Sequence, residues 1–175
     1  MSVELSQMQI DKFRGLGKAA KDLAADYKAG KGPDPQSGAT YRNGVPHCTW
    51  GQLLDKAGFK ATPGMNDTNN LGVFGKYIGE PKVANAKSVG GTISGLMADK
   101  HVEYDISKIA AYGTKIMQAN DPATSAAARK AATWKLLEEL SEEIEKTFGE
   151  PEQENLYSFE GAAQQHLENL IMGVD

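Results

Sequence analysis

Cysteine is almost absent: Cys48 stands alone in 175 residues. No internal disulfide can form, so the fold must be held by packing, and the usage agrees with a reducing compartment. Aromatic residues are scarce at 7%, which implies a core built largely from aliphatic and small side chains. Long apolar runs are missing as well. No stretch approaches the roughly 20 residues needed to cross a bilayer, and Met1-Ser2-Val3-Glu4-Leu5 lacks the basic-then-apolar order of a secretory signal. The expectation is a soluble cytoplasmic protein with no membrane partner. Runs of β-branched residues alternating with helical segments are also lacking, which argues against a buried parallel sheet.

What is present is an ordinary globular mixture, 40% hydrophobic and 24% charged, in a length that suits one domain with an appendage. The net charge of −4 conceals two unlike parts. From Glu138 to Asp175 eleven acids face one base, Lys146, so that stretch carries −10 and the rest of the chain +6. An acidic region on a mildly basic body can meet a basic partner, shield the body or promote solubility.

Apolar spacing places several helices. Leu16, Ala20, Leu23 and Tyr27 share one face of a helix over about Val3 to Ala29. Irregular sequence then runs to about His47, opening with Gly30-Lys31-Gly32-Pro33-Asp34-Pro35, a hinge or surface wrap. Thr49 and Gln52 have capping-box spacing at the head of a short helix that stops at Gly58. Asp67 or Thr68 is the expected cap of another short helix through Leu71, Phe74, Tyr77 and Ile78, ending at Gly79. A glycine-rich helix is read over Ser88 to Ala98, an extended piece over Asp99 to Asp105, and a helix from Ile106 to about Gln118. The clearest helix is Pro122 to Phe148, with Asp121 as cap and Ala127, Ala131, Trp134, Leu137, Leu140, Ile144 and Phe148 in helical register. A last amphipathic helix is expected from Ser158 to near Met172, beyond an acidic connector. The architecture is therefore mainly α: an irregular multi-helix bundle with one short strand or hairpin. Residues 1–149 form the compact helical domain and residues 150–175 the acidic appendage.

No stretch carries a complete catalytic motif. Gly90-Gly91-Thr92-Ile93-Ser94-Gly95-Leu96 has no lysine after its last glycine, as a phosphate loop needs, and close helix packing or a loop explains it better. Asp99, His101, Glu103 and Asp105 would share one face of a strand, but alternate residues lie about 6.5–7 Å apart, too far for all four to grip one ion. His101 and Glu103 are thus the metal candidates against a prevailing expectation of no metal and no cofactor. His101-Val102-Glu103 matches part of a zinc-deaminase pattern, yet the paired cysteines that complete such a site are missing. Cys48 beside His47 is read as a buried or incidental thiol, because sequence neighbours generally point apart.

Two surfaces remain. The short helices within residues 49–78 are arranged as a helix-turn-helix might be, and Thr40 to Lys87 carries +3. Lys56, Lys60, Asn69, Asn70 and Lys76 are the residues that would meet nucleic acid. In the longest helix, Glu138, Glu139, Glu142, Glu143 and Glu145 crowd the C-terminal half, where the helix macrodipole favours cations and like neighbours repel. The leading expectation is a non-enzymatic interaction or assembly protein whose acidic C-terminal region docks on a basic protein surface or a second subunit. A nucleic-acid-binding regulator is the first alternative. An enzyme whose active site assembles from distant residues is the second.

Overall fold

The computed structural model describes residues 2–79, 82–83 and 102–149. It confirms a mainly α architecture with two short antiparallel sheets. The helices expected over 88–98 and 158–172, His101 and the acidic appendage over 150–175 lie outside the described residues.

The chain opens with a strand, β1 (Ser2–Leu5), where a helix beginning at Val3 was expected. Val3 and Leu5 alternate with polar neighbours and are buried, the period-two pattern of a half-buried strand. Ser6 then starts helix α1 (Gln7–Lys28) through a reciprocal capping box: its hydroxyl accepts the Gln9 N–H at 3.2 Å while Gln9 Oε1 accepts the Ser6 N–H at 3.0 Å. Ile10, Phe13, Leu16, Ala20, Leu23 and Tyr27 form the buried face of α1.

The expected irregular stretch holds a hairpin, β2 (Tyr41–Arg42) and β3 (Val45–Pro46). Asn43 and Gly44 both take positive φ, 51° and 75°, as a two-residue turn with the twist of its flanking strands requires. Helix α2 (Thr49–Lys56) is capped by the Cys48 position, without the expected Thr49–Gln52 box. Thr49 and Gln52 spend their side chains elsewhere: the Thr49 hydroxyl donates to Asn120 Oδ1 at 2.8 Å, and Gln52 Nε2 donates to the Pro46 carbonyl at 3.2 Å. Helix α3 (Asn70–Ile78) is capped by Asn69, one residue past the expected position, through the Gly72 N–H at 3.1 Å. Asp67 instead accepts the Asn69 N–H at 2.8 Å, shaping the turn before the cap.

Strands β4 (Lys82–Val83) and β5 (Val102–Asp105) flank β1 on either side, both antiparallel. Of the extended piece expected over Asp99 to Asp105, residues 102–105 form this strand, at the edge of the sheet among the described residues. Helix α4 (Ser107–Asn120) follows, then α5 (Ala126–Phe148). The cap of α5 is Ser125, which accepts the Ala128 N–H at 3.0 Å, and not Asp121. Consequently its buried face differs at the start: Lys130 and Thr133 point inward while Ala127 and Ala131 are exposed. From Leu137 to Phe148 the expected apolar register holds.

The core lies where α1 and α5 pack along their length, the broadest contact between any two elements. Gly17 permits the approach, because a Cβ there would sit 2.9 Å from Ile144 Cγ2. Phe13 is central, stacked on Phe148 at 4.8 Å between ring centroids and edge-on to Phe74 at 5.7 Å. Helices α2, α3 and α4 close the other side around Trp50, whose indole N–H donates to the Asn70 carbonyl at 3.2 Å. No helix among the described residues is long and apolar enough to cross a membrane.

Candidate interaction surface

Helix α5 carries its charges in reverse of its macrodipole. Arg129, Lys130 and Lys135 occupy the first half, and the second half holds five glutamates with Lys146 in the last turn; Arg129 near the head and Glu145 near the tail lie where the helix dipole disfavours their sign. The structure accounts for two of the three bases. Lys130 is 6% exposed, pairs with Asp34 at 2.8 Å and donates to the Gly32 carbonyl at 3.0 Å. Arg129 donates to the Pro35 carbonyl at 3.3 Å. These cations hold the chain after α1 against α5, and their unfavourable position on the helix is offset by partners.

The acidic half has no such internal employment. At about 100° per residue, the five carboxylates spread over the arc opposite Leu137, Leu140 and Ile144. Glu138 and Glu142 are exposed, and Glu139, Glu143 and Glu145 half-exposed. Among the described residues no lysine, arginine or histidine pairs with any of them. On the neighbouring α4, Tyr112 feels the charge of these glutamates. Its hydroxyl is pushed above the usual phenol range first by desolvation and then by Glu139, Glu143 and Glu142. The Lys115 ammonium lies 4.7 Å from the Tyr112 ring centroid and bounds the surface on that side.

Four of the five residues nominated for nucleic acid have partners within the chain. Lys56 pairs with Asp26 at 3.7 Å and Lys76 with Asp67 at 3.3 Å. Asn69 caps α3, and Asn70 is 6% exposed, in a hydrogen bond with the Thr40 hydroxyl and donating to the Gly113 carbonyl at 3.0 Å. Lys60 projects into solvent. Residues 57–69 between α2 and α3 are tied to the β2–β3 hairpin, with Gly44 N–H donating to Met65 O at 2.8 Å and Asp67 N–H to Tyr41 O at 3.0 Å.

Glu103 lies on exposed β5 directly across from Glu4, a pairing of like charges. No three metal-ligating side chains converge among the described residues. Known protein families, curated proteins and solved structures offer no match to this chain. Its chemistry must be read from its own residues.

Cys48 is 2% exposed. Burial pushes its thiol up, against the lowering effect of the Gly51 and Trp50 amides and the Thr40 hydroxyl, so the neutral form prevails at neutral pH. The His47 ring meets the Ser37 carbonyl at 3.0 Å, where it supports a loop. Around the head of α2 lies a buried polar cluster that no local motif announces. Asn120 Oδ1 accepts from the Thr49 N–H at 3.2 Å and from the Thr49 hydroxyl. Its Nδ2 donates to the Gln36 carbonyl at 2.8 Å, and Thr133 closes the group 3.3 Å from the Thr49 hydroxyl. Each of these partners comes from a different segment, so only the folded chain reveals the group.

Proposed function

We propose that this chain is a non-enzymatic interaction or assembly protein whose acidic C-terminal region docks on a basic partner surface or a second subunit. The observation that supports the reading is the asymmetry of α5. Its buried or capping polar groups serve the fold, whereas Glu138, Glu139, Glu142, Glu143 and Glu145 stay without cationic partners among the described residues. Glu145 lies in the last turn, where an exposed carboxylate costs about 0.3–1 kcal/mol against the helix dipole, and the crowded glutamates at three- and four-residue spacing repel one another. A basic partner would convert that cost into association free energy and steer the encounter. A cytoplasmic location fits the single reduced cysteine.

The test combines light-scattering mass with size-exclusion chromatography at low and high salt, recording absorbance at protein and nucleic-acid wavelengths. Wild type is expected to form a salt-sensitive complex with itself or with a basic protein. The triple reversal Glu138→Lys, Glu142→Lys and Glu145→Lys should abolish it while leaving the stability of the isolated fold within about 0.5 kcal/mol, because relief at the helix end is offset by new repulsion with Lys135 and Lys146. Association unchanged by the reversal removes the proposal, and co-eluting nucleic acid would transfer the function to residues 49–78.

A further inference from the structure

Lys18, Lys21, Ala25 and Lys28 are exposed and follow one another at three- and four-residue steps, so they form one stripe along α1. On α5 the same steps join Ala127, Ala131, Trp134, Glu138, Glu142 and Glu145 into a second stripe, exposed apart from half-exposed Trp134 and Glu145. The two stripes adjoin, because the Lys28 ammonium lies 4.9 Å from the Trp134 ring centroid. Arg14 meets the Phe148 carbonyl and Gly17 faces Ile144, so α1 and α5 run antiparallel and Lys18 and Lys21 lie level with residues 138–145. Lys18 and Lys21 pair with no carboxylate among the described residues. One face of the helix pair is thus basic along one helix and acidic along the other.

We infer that this face binds a second copy of the chain, in a two-fold dimer whose axis runs parallel to the helices and sets α1 of each protomer on α5 of its partner. The inference rests on the reading of the acidic helix given above and commits it to one occupant. Rotation about such an axis exchanges the two helices of the face without changing the level of any residue. Lys18 and Lys21 then come over the partner's Glu138, Glu142 and Glu145, and Lys28 comes over the partner's Trp134. A two-fold axis lying across the helices would instead set α1 on α1 and α5 on α5, like charge upon like, so the charge pattern selects the first arrangement. On the outer flanks, exposed Asp22 of α1 and the partner's Lys135 are also of opposite sign. Single surface ion pairs contribute little, but the symmetry makes this set of contacts twice.

The experiment measures the light-scattering mass of the full chain at low salt over a series of protein concentrations. It compares wild type, a basic-stripe variant (Lys18→Glu with Lys21→Glu), an acidic-stripe variant (Glu138→Lys, Glu142→Lys and Glu145→Lys), and the two variants mixed in equal amounts, with circular dichroism melts showing that each fold persists. Wild type should form a dimer. Either variant alone sets like charges on both contacts and should dimerise about tenfold more weakly or worse, whereas the mixture sets opposite charges on both contacts and should recover the dimer mass. Wild type that stays monomeric at every concentration overturns the inference, as does a dimer that survives Lys18→Glu with Lys21→Glu, or a mixture no heavier than its components. Binding to poly-lysine separates this outcome from the broader reading: a monomeric wild type that still binds poly-lysine through the acidic stripe loses only the dimer, and one that does neither loses both.

Discussion

Replacing Gly51 with alanine should destabilise the protein strongly, although alanine is the better helix former. Gly51 lies in the first turn of α2, and a Cβ there would fall well inside contact distance of the Thr40 carbonyl oxygen. It would also lie 3.1 Å from the Thr40 carbonyl carbon and 3.5 Å from Pro46 Cα. All three are backbone atoms, so no side chain can rotate away. Helix α2 must instead move off the hairpin by about an ångström, since a carbon–oxygen contact needs about 3.3 Å. That motion strains the bonds from Cys48 N–H to Ala39 O at 3.0 Å, from His47 N–H to Thr40 O at 2.9 Å and from the Tyr41 hydroxyl to Gly51 O at 3.3 Å. Overpacking costs about 1–3 kcal/mol and one buried hydrogen bond left unmade costs about 1–3 kcal/mol more. The propensity gain returns about 1 kcal/mol. The balance is a loss of about 3 kcal/mol, or on the order of 10 °C in Tm for a chain of this size. Urea unfolding followed by tryptophan fluorescence measures it, because Trp50 neighbours the site and is fully buried. The internal control is Gly75→Ala in α3, where an added Cβ meets nothing within 4 Å and about 0.5–1 kcal/mol of stabilisation is expected. A Gly51→Ala protein as stable as wild type would refute the packing of α2 on the hairpin.

Asn120→Ala should cost about 2–4 kcal/mol, because it leaves the buried Thr49 N–H and the Gln36 carbonyl without a partner; a loss under about 0.5 kcal/mol in urea unfolding would show that the cluster does not fasten the head of α2. Alkali should also unfold the protein. Burial raises the phenols of Tyr27 and Tyr41 far above their ordinary value and pushes Tyr77 up to about 12. Below pH 10 both folded and unfolded states hold these protons, while between pH 10 and about 12 only the folded state retains them, so stability falls as pH rises through that window. Urea midpoints measured from pH 9 to 11.5 should decline, with Tyr77→Phe declining less steeply than wild type; a flat profile would contradict the burial of these hydroxyls.

The helical plan was legible because its signals are local. The steps from Leu137 to Phe148 fix both the register and the inward face of α5, and Gly149 stops it with φ of 81°. Two missed features also carried readable local marks. Ser6 and Gln9 have capping-box spacing, which separates β1 from α1, and Asn43-Gly44 is the strongest short hairpin signal a chain can offer. Other features had no local mark. Thr49 looked like a helix cap because its spacing to Gln52 is right, but Asn120 and Thr133 claim its hydroxyl from distant positions. Asp121 and Pro122 formed a plausible helix start, yet Asp121 remains bound to the end of α4 and accepts the Gly38 N–H at 3.2 Å. The acidic stretch of α5 was visible as composition. That its basic counterpart is consumed by residues 32–35 was not visible, because it depends on how a strap more than ninety residues upstream returns to the helix.

The packing of α1 against α5 also bears on how the chain is made. The apolar stripe of α1 is synthesised first, and its principal covering is synthesised more than a hundred residues later. Arg14 illustrates the delay: its guanidinium donates to the Phe148 carbonyl at 2.7 Å, across 134 positions. At roughly 5–20 residues per second, Phe13, Leu16 and Leu23 remain without that partner for on the order of ten seconds on the ribosome. During that interval the apolar stripe of α1 lacks its main cover, so its final packing waits on the synthesis of α5.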